Sequence, residues 1–246
     1  MTIFYPKPET RNPKPETRNP KPETRNPKPE LPVPQIICKA IIFDLDGILV
    51  NSNPIAERHW TIWAERHGIP AEQILSIHHG RPTVQTIQAV APHLDAAAEA
   101  ARKEKIEADD VDGLTKYPGT FELLTSLPED RWAIATSGTR RTATKRLLTV
   151  GLPIPKVMIT ADDVSMGKPD PEPYLLAAAG LGLSATDCVV IEDAPAGIAS
   201  ARGAGATVIA VASTNGHEAL GEANCIVPQF AHIQLLVEKD HLAIQL

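Results

Sequence analysis

The sequence is short of the features that mark secreted and membrane proteins. It has three cysteines, Cys38, Cys188 and Cys225, which are odd in number and far apart. Cysteines in this pattern are typical of reduced thiols rather than of a disulfide framework, and they predict a cytoplasmic protein. No apolar run approaches the length of about 18 residues that a membrane-spanning helix needs. The N-terminus also lacks the apolar segment of a secretory signal.

Positive charge is scarce after residue 34. Residues 1–34 contain 7 of the 24 Lys and Arg residues and 4 of the 30 Asp and Glu residues. The rest of the chain therefore has 17 basic and 26 acidic residues, a net charge of −9. A net negative charge of this size disfavours binding to nucleic acid, because contacts to phosphate groups require Lys and Arg. Neither nucleic acid nor a membrane is expected as a partner.

Proline, by contrast, is concentrated at the N-terminus. Ten of the 23 prolines lie in residues 1–34, where Pro-Lys-Pro-Glu-Thr-Arg-Asn occurs at 6–12, 13–19 and 20–26. Proline at this density disfavours both helix and sheet, so residues 1–34 are predicted to form a disordered, extended tail. The tail could be a ligand or tether of the PxxP type, or an inert product of repeat expansion.

The remaining residues predict an α/β fold with a helical insertion. Strand-like and helical runs alternate after residue 116, which indicates a parallel sheet with right-handed crossovers. The strands are predicted at 39–43, 132–136, 157–160, 188–192 and 207–211, and the intervening helices at 119–126, 140–150, 171–180 and 195–203. The last 30 or so residues predict a short strand at 225–227, a helix near 230–237 and a strand at 242–245.

No strand-like run is found between residues 53 and 115. Helices are predicted there at 54–67, 71–77, 83–90 and 95–109. The chain is therefore predicted to have three parts: the tail at 1–34, an α/β core formed by 35–52 and 116–246, and a helical cap at 53–115. Two short linkers, at about 50–53 and 115–118, would allow the cap to hinge.

Acidic residues follow the first buried strand. Side chains alternate along a strand, so Asp44 and Asp46 are expected to point the same way, with Leu45 between them facing the other way. Ligands bind at the carboxyl ends of strands in open α/β sheets. Two carboxylates at this position are costly unless the chemistry of the protein needs their charge.

Three more polar clusters are predicted at the same edge of the sheet. Thr136, Ser137 and Gly138 follow a buried strand and open a helix, which suits an anion such as phosphate. Lys168 lies in a loop stiffened by neighbouring prolines. Glu192 and Asp193 follow the same pattern at the end of another apolar strand. Up to four carboxylates would then lie together at this edge, and their mutual repulsion would require a cation. Carboxylate oxygens are hard ligands, which favours Mg²⁺.

This inventory of charges predicts phosphoryl transfer. A carboxylate beside Mg²⁺ can attack phosphorus, while Lys168 and the backbone N–H groups after Thr136 neutralise the phosphoryl oxygens. The second carboxyl group can protonate the leaving oxygen and later deprotonate water.

The four clusters resemble the four motifs of the haloacid dehalogenase superfamily, which implies a Rossmann-like core with an inserted helical cap. The matching segments are Phe-Asp-Leu-Asp-Gly-Ile-Leu from residue 43, Ala-Thr-Ser-Gly from 135, Gly-Lys-Pro-Asp-Pro-Glu-Pro-Tyr-Leu from 167 and Val-Val-Ile-Glu-Asp-Ala-Pro-Ala-Gly-Ile from 189. The resemblance is strongest to the branch that hydrolyses sugar and glycerol phosphates. His79, Gly80 and Arg81 resemble part of the cap loop of that branch.

The resemblance implies a role for each matching residue. Asp44 would be the nucleophile and Asp46 the acid/base. Thr136, Ser137, Gly138 and Lys168 would bind phosphate, and the cap loop His79–Gly80–Arg81 would contact the rest of the substrate. Mg²⁺ would be held by Asp44, the carbonyl of Asp46 and Asp193, with Glu192 alongside. The expected enzyme is a monomeric phosphatase for small phosphorylated sugars or polyols.

Three alternatives remain open at this point. A phosphomutase similar to β-phosphoglucomutase shares all four motifs, but such enzymes have a histidine where this chain has Ala56. A dehalogenase would need neither Asp46 nor the pair Glu192 and Asp193. A non-catalytic interaction protein would have no reason to keep so many buried charges.

Overall fold

A computed structural model describes residues 35–78 and 82–246 of the chain. The predicted tail at 1–34 and the predicted cap loop His79, Gly80 and Arg81 lie outside the described residues. Within the described ranges, no helix is both long enough and apolar enough to cross a membrane.

The centre of the fold is a six-stranded sheet in which every pair of neighbouring strands is parallel. In spatial order its strands are β6 (Val157–Ile159), β5 (Trp132–Ala135), β2 (Ala40–Phe43), β7 (Cys188–Glu192), β8 (Thr207–Val211) and β9 (Cys225–Val227). The strands that the sequence predicted in this sheet are confirmed, and β2 is fully buried because helices cover both faces. Ile41 and Phe43 belong to one hydrophobic cluster and Ala40 and Ile42 to another, as the alternation of side chains requires.

Four helices accompany this sheet: α5 (Thr120–Ser126), α6 (Arg140–Val150), α7 (Glu172–Gly180) and α8 (Pro195–Gly203). Their beginnings follow ordinary capping chemistry. Thr139 caps α6 by accepting the N–H of Thr142, and Pro195 is the first residue of α8, where a missing N–H costs nothing. These helix starts hold the loops after β5 and β7 at the carboxyl edge of the sheet.

A second, antiparallel sheet has the order β1 (Gln35–Cys38), β11 (Leu242–Gln245), β10 (Gln234–Val237). The helix predicted near 230–237 is wrong, because a short 3₁₀ turn at Phe230–His232 leads into β10. The backbone of β10 pairs with the buried strand β11, and this pairing outweighs the local helical pattern. Strand β1 was not predicted as a separate strand.

The described residues between 53 and 107 form helices, as predicted: α1 (Asn53–His67), α2 (Ala71–Leu75), α3 (Thr83–Val90) and α4 (Ala96–Glu107). They share a hydrophobic cluster that includes Trp60, Trp63 and Ile87. The two predicted linkers lie side by side, because β3 (Val50–Asn51) pairs in antiparallel fashion with β4 (Thr115–Lys116). The chain thus enters and leaves this helical segment at one place.

Candidate active site

Asp44 directly follows the central strand β2. Its backbone N–H donates to the carbonyl of Ile191 (3.0 Å), which ties it to the end of β7. Phe43 lies in register with Ile134 of β5 and Ile191 of β7, so the residues after these three strands share one edge of the sheet. The predicted convergence of the strand ends is therefore present in the structure.

Lys168 reaches this edge from the loop before α7. Its Nζ donates to Asp44 Oδ1 (2.8 Å) and to Glu192 Oε1 (2.7 Å), and its side chain is only 7% exposed. The ammonium group also lies 5.0 Å from the centre of the Tyr174 ring. A lysine held by two carboxylates and an aromatic ring is a fixed positive charge rather than a mobile surface group.

Both carboxylate oxygens of Glu192 are engaged by protein donors. Oε1 accepts from Lys168 and from the Tyr174 hydroxyl (2.9 Å), and Oε2 accepts the backbone N–H groups of Asp193 (2.8 Å) and Ala194 (3.0 Å). Glu192 therefore joins Lys168 to the start of α8. Tyr174 was not singled out from the sequence, although it lies six residues after Lys168 in the same motif.

The carboxylate of Asp193 lies against the turn that follows Asp44. A Cβ atom on Gly47 would fall 1.9 Å from Asp193 Oδ2, and Gly47 has a φ of +84°, so only glycine fits there without strain. The Thr214 hydroxyl donates to Asp193 Oδ2, and Asn215 Nδ2 donates to the Asp193 carbonyl (3.0 Å). Ser213 donates to the carbonyl of Gly47 (2.6 Å).

Sequence reasoning missed the run Ser213–Thr214–Asn215. The signal was available, since three polar residues follow the buried strand β8 almost directly, at the edge where the other clusters meet. The loop holds both Asp193 and the Gly47 turn, and so it fixes the distance between the first and fourth motifs.

The electrostatics of the site call for a cation. Asp44, Glu192 and Asp193 are all buried, and each offers an oxygen within 4.8 Å of the other two. Burial, with the neighbouring charge of Glu192, raises the pKa of Asp44 to about 7 even though Lys168 opposes the shift. Burial and the same negative neighbours raise the pKa of Asp193 well above its usual value. A single ammonium thus leaves three carboxylates under-neutralised, and their hard oxygens fit Mg²⁺.

Asp46 is placed differently from Asp44. Strand β2 ends at Phe43, and the Asp46 carboxylate accepts from Arg146 Nη1 of α6 (2.5 Å). Its side chain is 28% exposed, and among the described residues it is not part of the group of three carboxylates. Of the two aspartates in the first motif, Asp44 is therefore bound to Lys168 and Asp46 to Arg146.

The predicted phosphate loop follows β5. Thr136 is buried, its N–H donates to the Ile159 carbonyl (2.9 Å), and its hydroxyl accepts the N–H of Gly138 (3.1 Å). Ser137 is exposed, and the loop leads through the cap residue Thr139 into α6. The loop thus presents a hydroxyl and backbone N–H groups at the beginning of a helix, which is an arrangement suited to an anion.

Comparison with known proteins points to one family. The sequence model of the haloacid dehalogenase-like hydrolase family matches residues 41–211 of this chain. The chain is 43% identical over 201 residues to hexitol phosphatase A of Escherichia coli (strain K12), covering 80% of this chain and 93% of that protein. It is 36% identical over 204 residues to glycerol-1-phosphate phosphohydrolase 2 of Saccharomyces cerevisiae, covering 76% and 79% respectively.

Solved structures agree on the architecture. A hydrolase from Pseudomonas syringae superposes with a TM-score of 0.68 at 29% identity, covering 78% of this chain and 94% of the other. A β-phosphoglucomutase from Clostridium difficile superposes with a TM-score of 0.64 at 24% identity, covering 78% and 92%. The second likeness shows the fold alone.

Proposed function

The chain belongs to the haloacid dehalogenase-like hydrolase family, and we propose that it is a Mg²⁺-dependent phosphatase of small sugar or polyol phosphates. The observation that carries this proposal is the contact of Lys168 with both Asp44 and Glu192 beside the buried Asp193. The names of the relatives support the substrate class, since hexitol and glycerol are both polyols.

Asp44 is the proposed nucleophile. One of its carboxylate oxygens attacks phosphorus, and the bond between phosphorus and the oxygen of the leaving alcohol breaks, which leaves an aspartyl phosphate. Asp46 donates the proton that the leaving alcohol needs. It then accepts a proton from the water that attacks the aspartyl phosphate, so that inorganic phosphate departs and Asp44 is regenerated.

The phosphoryl oxygens are the proposed ligands of the fixed donors. Lys168 bridges them and Asp44, the Thr136 hydroxyl turns toward them, and the N–H groups of Ser137 and Gly138 complete the set. Lys168 is held in place before the reaction and costs no reorganisation when negative charge builds on the oxygens, whereas the Thr136 hydroxyl must turn and the Gly138 N–H must leave it.

Mg²⁺ would be held by Asp44, by the main-chain carbonyl of Asp46 and by Asp193, with Glu192 alongside. When bound, it would offset the mutual repulsion of the carboxylates and the charge of the phosphoryl group. Glu192 contributes mainly by holding Lys168, because both of its oxygens already accept from protein donors.

Residues 53–115 are the proposed cap over a core made of 35–52 and 116–246. The paired linkers β3 and β4 would act as the hinge, and the loop His79–Gly80–Arg81 would contact the sugar or polyol part of the substrate. We further propose a cytoplasmic monomer. In support of a cytoplasmic location, Cys38 and Cys188 are free, buried thiols.

The alternative is a phosphomutase. It would form the same aspartyl phosphate but return the phosphoryl group to a second sugar rather than to water. Ala56 stands on α1 where the resemblance implies a histidine in such mutases, which favours hydrolysis.

The test is release of inorganic phosphate from a panel of about 50 phosphorylated metabolites with Mg²⁺ present. We expect hexitol and glycerol phosphates among the best substrates. Asp44→Asn should lower the rate by about 10³-fold or more, because the nucleophile is lost. The control Asp130→Asn changes an exposed aspartate and should behave like wild type.

Two outcomes would reject the proposal. Phosphate release by Asp44→Asn at a rate near that of wild type would exclude Asp44 as nucleophile. Interconversion of glucose phosphates without phosphate release would favour the mutase. With p-nitrophenyl phosphate, whose leaving group needs no proton, Asp46→Asn should accumulate a protein whose mass is increased by one phosphoryl group, and the masses of its peptides should place that group on Asp44.

A further inference from the structure

We propose that Arg146 is a positioning residue that orients the carboxylate of Asp46 and makes this orientation depend on the place of helix α4. The inference rests on the proposed function, in which Asp46 is the acid/base. It assigns a role to a residue outside the four motif segments named above.

Arg146 is a buried arginine shared by two carboxylates. It lies on α6, is 7% exposed, and donates from Nη1 to Asp46 Oδ1 (2.5 Å) and from Nη2 to Glu107 Oε1 (3.4 Å). Its Nε is also buried and has no hydrogen-bond partner in the described part of the chain. Burying a guanidinium is expensive unless it is paired, so these two carboxylates hold it in place.

Glu107 is fixed from the other side. It is the last residue of α4 and accepts from Lys103, one turn earlier on the same helix. The side chain of Lys103 is only 4% exposed, and its ammonium lies 4.4 Å from the centre of the Trp60 ring in the cluster of α1–α4. A continuous chain of contacts therefore runs from this helical cluster through Lys103, Glu107 and Arg146 to Asp46.

Two neighbouring ion pairs join the same helix α6 to the segment after α4 without touching Asp46. Arg141 and Lys145 both contact Asp109, at 2.6 Å and 3.3 Å, and Asp109 is half exposed. Exposed pairs of this kind contribute little to the stability of a protein. They provide the matched control, because they link the same elements but have no route to the acid/base.

The arrangement has a mechanical consequence. The guanidinium is planar and rigid, so its two Nη groups cannot follow two carboxylates that move apart. If α4 shifts relative to α6, Arg146 must release Glu107, release Asp46 or turn the Asp46 side chain with it. The last two cases change where the Asp46 carboxyl points, and the first removes the contact that fixes the guanidinium beside it. Proton transfer to the leaving oxygen depends on the direction of this carboxyl group.

The experiment compares Arg146→Met, Arg146→Lys, Glu107→Gln and the control Arg141→Gln on two substrates. Glycerol phosphate has a poor leaving group that needs a proton from Asp46, whereas p-nitrophenyl phosphate has a good leaving group that does not. For Arg146→Met we expect kcat on glycerol phosphate to fall by about 30- to 100-fold, with KM changed by less than about 3-fold.

The leaving-group dependence distinguishes positioning from a structural role. On p-nitrophenyl phosphate, the release of the leaving group from the same variant, measured as the burst of p-nitrophenolate, should slow by less than about 3-fold. Arg146→Lys keeps one charge and should recover part of the lost rate. Arg141→Gln should match wild type on both substrates, and so should its melting temperature.

Glu107→Gln keeps the pair of Arg146 with Asp46 and serves if Arg146→Met does not fold. Its kcat on glycerol phosphate should fall by about 3- to 10-fold, with little change in the burst on p-nitrophenyl phosphate. Equal losses on both substrates, a rise in KM alone, or wild-type rates in Arg146→Met and Glu107→Gln would overturn the inference while the phosphatase stands. Wild-type protein that releases no phosphate from these two substrates or from any member of the metabolite panel would reject the proposed function, and this inference with it.

Discussion

At the scale of single residues, the site depends on one close approach of backbone to carboxylate. Gly47 leaves the space that Asp193 occupies, and Thr214 holds the same carboxylate from the opposite loop. The pKa of Asp193 is raised because burial and its acidic neighbours outweigh the hydrogen bond from Thr214 and the charge of Lys168. The carboxylate is thus kept close to Asp44 by shape rather than by favourable charge.

The substitution Gly47→Ala tests this reading. We expect it to displace Asp193, because the new Cβ would lie 1.9 Å from Oδ2, and to lower kcat/KM by about 10²-fold or more. The dissociation constant for Mg²⁺, measured by calorimetry in the absence of substrate, should rise by at least about 10-fold.

Gly68→Ala is the matched control. Gly68 also has a positive φ, +65°, but a Cβ there would meet nothing within 4 Å. Both variants should lose about 1 kcal/mol of stability from backbone strain, measured by urea unfolding. If Gly47→Ala binds Mg²⁺ as wild type does, Asp193 does not hold the metal in the way proposed.

At the scale of elements, hydrogen bonds to the side chain of Asp110 join the segment that follows α4 to helix α1. The Asp110 carboxylate accepts from Arg58 through Nη2 (2.7 Å) and Nε (3.1 Å), and lies 2.8 Å from His59 Nε2. Burial alone would raise its pKa, but the bonds from Arg58, the N–H of Asp112 and His59 lower it from 3.8 to about 2.

The sign of this shift predicts how the stability of the protein depends on pH. A carboxyl group whose pKa is lowered by folding stabilises the protein above its unfolded pKa, and the gain is lost as the pH falls from about 4 toward 2. At pH 7 we expect Asp110→Asn to lower the free energy of unfolding by about 1–2 kcal/mol, after allowance for partial exposure.

The same measurement at pH 2.5 should show a smaller difference between wild type and Asp110→Asn. Asp112→Asn is the control, because the Asp112 side chain is 93% exposed and its carboxylate is 3.8 Å from Arg58. A difference for Asp110→Asn that stays constant from pH 7 to pH 2.5 would mean that the charge of Asp110 is not what stabilises the α1 contact.

Helices and strands with a clear local pattern of apolar residues were predictable from the sequence. Strands that exist only because they pair with a distant segment were not. The buried runs at β2, β5, β7 and β8 and the four helices between 53 and 107 have clear local patterns. Strand β10 was predicted as part of a helix, because its local sequence does not indicate that it pairs with Leu242–Gln245. The two-residue strands β3 and β4 are equally non-local, since each exists only through the other.

At the scale of the whole molecule, the residues of the site that follow strands were predictable from the sequence, and the side chain that reaches the site from a helix was not. Asp44, Lys168, Glu192 and Asp193 could be placed together because parallel strands end at one edge. The partner of Asp46 could not be predicted, because Arg146 lies 100 residues away on helix α6, which has other basic residues as well. Sequence patterns locate strand ends well, but they do not tell which long side chain reaches across a packed interface.

The N-terminal repeats provide the last test at this scale. Every residue of the proposed core site lies between 44 and 215, and the first described strand, Gln35–Cys38, pairs with the buried strand β11. The composition of residues 1–34 predicts a tail that is not needed for the core. We therefore expect removal of residues 1–33 to leave kcat/KM within about 2-fold of the full chain and the free energy of unfolding within about 0.5 kcal/mol.

A longer deletion through Cys38 is the matched comparison. It removes β1, exposes an edge of β11 and takes away the buried side chain of Cys38, so it should cost about 2–4 kcal/mol. Urea unfolding and steady-state kinetics of the three proteins separate the possibilities. A loss of activity on removal of 1–33 without a loss of stability would mean that the repeats act on the substrate or on the site, and the tail would then be part of the enzyme's function rather than an appendage.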